Sequence, residues 1–135
     1  TEKEIQNYIK KIDKALLDRF NIKLTVTSSK NISNVNSEKY DIEIIKSKID
    51  NAKKIQLRRY DSDIITNGSL KNYQIKKYIN VSENINNLLE MLKQKYNLSQ
   101  RSVDNILKVS RTIADYEGHE EILEEYVFEA LNYIK

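Results

Sequence analysis

The chain has no proline and only two glycines, Gly68 and Gly118, in 135 residues. Tight turns draw on those two residue types, so a turn-dense β-sandwich is excluded and helices with short links become the default. The glycines stand fifty positions apart. A phosphate-cradling P-loop, whose backbone must approach phosphate through closely spaced glycines, therefore cannot be built from this chain.

The absence of cysteine removes disulfides and thiolate metal sites, and the single His119 cannot assemble a histidine metal centre or a convincing nucleophilic triad. No apolar run approaches the roughly eighteen residues of a membrane span. The expectation is a soluble, cytoplasmic protein with no membrane partner. A net charge of +3 is too mild to argue for nucleic-acid binding by itself.

Hydrophobic periodicity supplies the elements. Ile5, Tyr8, Ile9 and Ile12 have helical spacing, and a short turn through Ala15, Leu16 and Leu17 follows. Ile22, Leu24 and Val26 alternate with polar residues and predict a strand, which would need a partner outside this segment. The polar stretch 28–36 marks a boundary. Beyond it, Ser37 is the expected N-cap of a long helix reaching Tyr60, with Ile42, Ile45, Ile49, Ala52 and Ile55 as its apolar stripe. Asn67-Gly68 signals a turn, and a short helix over 72–79 follows. Ser82 and Ser99 are predicted to cap the next two helices, the second stopping at Gly118, and a final helix buries Leu123, Tyr126, Val127, Ala130, Leu131 and Ile134. The reading is a mainly α bundle. The acidic run Glu117, Glu120, Glu121, Glu124 and Glu125 reads as a solvated helix start and not as a cation site.

Lysine outnumbers arginine 18 to 5, so the positions that keep arginine stand out. Arginine grips phosphate oxygens with a planar fork that lysine lacks. Arg19 lies between the short turn and the strand, Arg101 in the first turn of its helix, and Arg111 near that helix's end. The last two are about 15 Å apart along the axis and about 80° apart around it, so they do not form one site. Arg111 can pair with Asp104 or Asp115 on its own helix. Lys53, Lys54, Arg58 and Arg59 make a basic stretch. It is the basis of an alternative reading, a stand-alone helical module that contacts DNA or a protein.

Several stretches carry a resemblance: EIQNYIKKIDKALLDRF, IIKSKIDNAKKIQLRRY, IITNGSLKNYQIKKYI and LSQRSVDNILKVSRTIADYEGHEE. In this order they resemble the ComM/YifB group of bacterial magnesium-chelatase-like AAA+ ATPases. The resemblance implies that residues 1–35 are the tail of an ATPase core, with helix, finger turn and strand, and that 36–135 form its helical lid. It implies Arg19 as an arginine finger acting in trans and Arg101, in LSQRSVDN, as the sensor-2 arginine on ATP phosphate. Arg111, in VSRTIADYEG, is implied as a structural or lid-bridging residue, with an ATP-phosphate contact as the other option. The chain departs from the family at Asp13-Lys14-Ala15, where Ser-Gly-Pro is common, and at Asn21, where an acid is usual. The implied setting is a homo-oligomeric ring, a hexamer, with ATP and Mg²⁺ bound by the intact protein and none by this chain alone. The implied work is helicase-like DNA branch migration in natural transformation.

Overall fold

The computed structural model describes residues 1, 3–4, 7–8, 12, 14–26 and 41–134. The expected first helix around Ile5 and Ile9, the boundary at 28–36 and the Ser37 cap lie outside or only partly within that range. Six helices are seen among the described residues: α1 (Lys14–Leu17), α2 (Ile42–Tyr60), α3 (Asn72–Tyr78), α4 (Glu83–Tyr96), α5 (Gln100–Glu117) and α6 (Glu124–Ile134). A 3₁₀ turn over Asn67–Ser69 joins α2 to α3. The chain is mainly helical, as the composition requires.

Local chemistry sets the ends of these helices. Ser82 accepts a bond from the Ile85 amide and Ser99 one from the Ser102 amide, each satisfying a first-turn donor that has no helical partner. At the far end of α5, Gly118 takes the left-handed conformation with φ 76°. Its amide donates to the Asp115 carbonyl, and that of His119 to the Ala114 carbonyl. This pair of bonds is a Schellman stop. Asn97 ends α4 in the same way at φ 49°.

α5 is the axle of the bundle, packing against α6, α2, the 3₁₀ turn and α3. Ile106, Ser110 and Ala114 are fully buried on it, and Val127 and Ala130 on α6. Small side chains let the two helices approach so closely that the Ser110 hydroxyl, 2.7 Å from the Ile106 carbonyl of its own helix, also lies 3.3 Å from the Tyr126 carbonyl of α6. Ile75, Ile85, Leu89 and Leu92 close the core from α3 and α4.

Three expectations are corrected. α2 starts at Ile42 with Asp41 as its N-cap, the carboxylate accepting from the Glu43 and Ile44 amides, so the helix begins later than a Ser37 cap would place it. Its predicted stripe is only partly used: Ala52 is buried and Ile45 and Ile55 half-buried, but Ile42 and Ile49 are exposed. Lys48 already meets Glu117, the last residue of α5, so the first turns of α2 run past the end of the helix that would cover them. Residues 22–26 form no strand; Leu24 and Val26 stay exposed, because no described segment offers a ladder of backbone partners.

Candidate functional site: an arginine edge above a buried arginine knot

Leu17 closes α1 and the chain turns at Asp18 and Arg19, with the Arg19 and Phe20 amides donating to the Leu16 and Leu17 carbonyls. This turn sits on the first residues of α5. The Asp18 carboxylate accepts from the Ser99 hydroxyl at 3.4 Å, and its carbonyl from the Asn105 side-chain amide at 3.2 Å. Arg101 lies between Ser99 and Asn105 in the chain, one turn before Asn105 and about 40° from it around the helix. Arg19 and Arg101, 82 positions apart in sequence, thus project from neighbouring backbone, and both are exposed. Among the described residues, neither side chain makes a hydrogen bond or an ion pair.

Arg111 has a different setting. Its side chain is buried; Nε donates to Asp115 at 3.1 Å, and the two terminal nitrogens donate to the Glu120 and His119 carbonyls at 2.6 Å each. The same Asp115 carboxylate receives Arg59 from α2 in a bidentate pair at 2.8 and 2.5 Å, and the Asn67 amide at 2.9 Å. Each carboxylate oxygen accepts two bonds, which fills its lone pairs. Asn67 also accepts from Arg59 and from the Tyr60 hydroxyl and donates to Thr112, while its backbone amide reaches Gln56. The bond to Asp115 raises the Arg59 guanidinium above its ordinary value, whereas burial chiefly lowers that of Arg111. Both remain charged at neutral pH. Burial likewise pushes the Tyr60 phenol up.

A cleft of about 960 Å³ opens beside this knot, lined by Arg58, Arg59, Arg111, Ser82 and His119 among others. The His119 ring is bonded to the Tyr126 hydroxyl. Of the acidic run, Glu117 pairs with Lys48 at 2.8 Å and the remaining members are exposed. No group of three or more His, Cys, Asp or Glu side chains among the described residues could hold a metal ion, and no helix there is long and apolar enough to cross a membrane.

The sequence offered Asp104 or Asp115 as the partner of Arg111, and the structure selects Asp115, four residues along the helix. Sequence reasoning missed Arg59, which it grouped with Lys53, Lys54 and Arg58 in the basic stretch. The structure withdraws Arg59 into the knot and leaves the other three exposed. No local signal marks that change, since the partner lies 56 positions away.

The chain is 28% identical over 132 residues to competence protein ComM of Haemophilus influenzae, an alignment that takes in 96% of this chain. It spans about a quarter of that relative's length. The family model described as magnesium chelatase, subunit ChlI C-terminal, matches residues 39–134, a stretch that holds α2 to α6, the knot and Arg101. With well over half its length matched, the chain belongs to the magnesium chelatase, subunit ChlI C-terminal, family.

Proposed function

We propose that this chain acts as the nucleotide-responsive C-terminal part of a magnesium-chelatase-like AAA+ ATPase. Arg19 serves as an arginine finger in trans and Arg101 as the sensor-2 arginine. The observation that carries the reading is the contrast among the arginines. Arg59 and Arg111 are spent on holding helices together, whereas Arg19 and Arg101 stand exposed along one edge. A phosphoryl group in transfer spreads negative charge over its oxygens, and two always-charged forks at one edge suit that charge. In this reading both arginines contact one nucleotide, and Arg101 would then act in trans like Arg19, on the nucleotide of a neighbouring subunit. ATP and Mg²⁺ would be held by groups of the ATPase outside this chain, at the interface between identical subunits of a ring, a hexamer. The work driven would be DNA branch migration or a related helicase-like step in the cytoplasm, a role in keeping with a relative named as a competence protein.

The test uses the ATPase that carries this chain. Arg19→Ala is expected to lower hydrolysis by at least about a thousandfold while nucleotide affinity of separated subunits is kept, since a finger acts only across an assembled interface. Mixing these subunits with subunits dead in the phosphate-binding loop should restore some activity through complementary half-sites. Hydrolysis at the wild-type rate in Arg19→Ala would remove the finger assignment.

A further inference from the structure

The inner face of α5 is apolar or small at Val103, Ile106, Val109, Ser110 and Ala114. Asn105 interrupts it. Buried to 5% exposure, it spends its amide on the Asp18 carbonyl, 87 positions away. A buried amide is costly unless bonded, so its presence on this face requires the Asp18 turn to be in place.

Ser99 acts at the same point. As N-cap its oxygen accepts from the Ser102 amide at 3.1 Å, and the hydroxyl also reaches the Asp18 carboxylate. That carboxylate lies at the positive end of an eighteen-residue helix, where an anion is favoured. The segment is pinned at its far end too. The Lys23 amide donates at 2.7 Å to the Tyr133 carbonyl, one of the last four of α6, which no intrahelical amide can satisfy. Residues 18–23 are therefore tied to the start of one helix and the end of another.

We infer that Asp18, Ser99 and Asn105 form a latch that fixes the Arg19 turn to the helix bearing Arg101, so that the two arginines move as one body. The three are positioning residues; the arginines carry the charge. The functional weight of the latch rests on the nucleotide reading above, but its geometry does not.

The test is amide hydrogen exchange on this chain, without nucleotide, so that its failure is distinct from failure of the finger assignment. Ser99→Asp keeps an N-capping oxygen but replaces the hydroxyl donor with a charge that repels Asp18. Asn105→Leu removes the other bond while suiting the apolar face. In each variant the Arg19, Phe20 and Lys23 amides are expected to exchange about tenfold faster, the scale of one lost hydrogen bond, while α5 from Ile106 to Ala114 keeps its protection. Adding Asp18→Asn to Ser99→Asp supplies an amide that donates to the new carboxylate, and should bring the turn back to within about twofold of wild type. Unchanged exchange in both single variants would overturn the latch. So would equal loss through α5, or a double variant that stays as open as Ser99→Asp.

Discussion

At Asp115 a carboxylate with no exposure faces two guanidinium groups, leaving one positive charge in excess. Such a site tolerates change badly. Removing the anion strands both cations, and a broken buried pair typically costs about 3–5 kcal/mol, so Asp115→Ala should lose that much in denaturant unfolding. Arg101→Ala, at an exposed position, should stay within about 0.5 kcal/mol and serves as the control. A loss below about 1 kcal/mol for Asp115→Ala would show that the knot is not a stabilising tie. Half of this site was readable from the sequence. Arg111 and Asp115 share a helix face by spacing alone, but Arg59 and Asn67 reach Asp115 only once α2 and the 3₁₀ turn have packed on α5. Nothing in QLRRY separates the half-buried, paired Arg59 from the exposed Arg58 beside it.

Among the helices, the ends were more legible than the faces. Ser82, Ser99 and Gly118 act where they were expected because capping depends on a few adjacent residues. The stripe of α2 held only in part, at Ile45, Ala52 and Ile55, because burial depends on what lies opposite and α5 ends before covering Ile42. The lone alternating stretch at Ile22–Val26 failed for a related reason, since a strand is a property of pairs. Gly118 offers a clean measurement. A Cβ there would meet no atom within 4 Å, so Gly118→Ala carries only the backbone cost of φ 76°. That cost is about 1–2 kcal/mol, and it should appear as a lower denaturation midpoint with an unchanged slope. Any larger loss would mean that the turn holding the His119 and Glu120 carbonyls against Arg111 had shifted.

For the molecule as a whole, the core lies between Tyr60 and Ile134, and the described part of the N-terminal segment reaches it at Ser99, Asn105 and Tyr133. A chain of residues 41–135 should therefore still melt cooperatively, within about 8 °C of the full chain by calorimetry, because one kcal/mol moves a domain of this size by some 4–8 °C. A broad transition would show that the first forty residues belong to the core. α5 also has a mechanical meaning. Its C-terminal end is clamped by the Asp115 knot, while Arg101 sits fourteen residues away near the other end, about 21 Å along the axis. A swing of about 10° about the clamped end carries Arg101 through about 4 Å, whereas a hydrogen bond is made or lost over roughly 0.5 Å. The helix thus has the geometry of a lever with a stiff fulcrum, and a small rotation about the clamped end would be enough to make or break a contact at its tip.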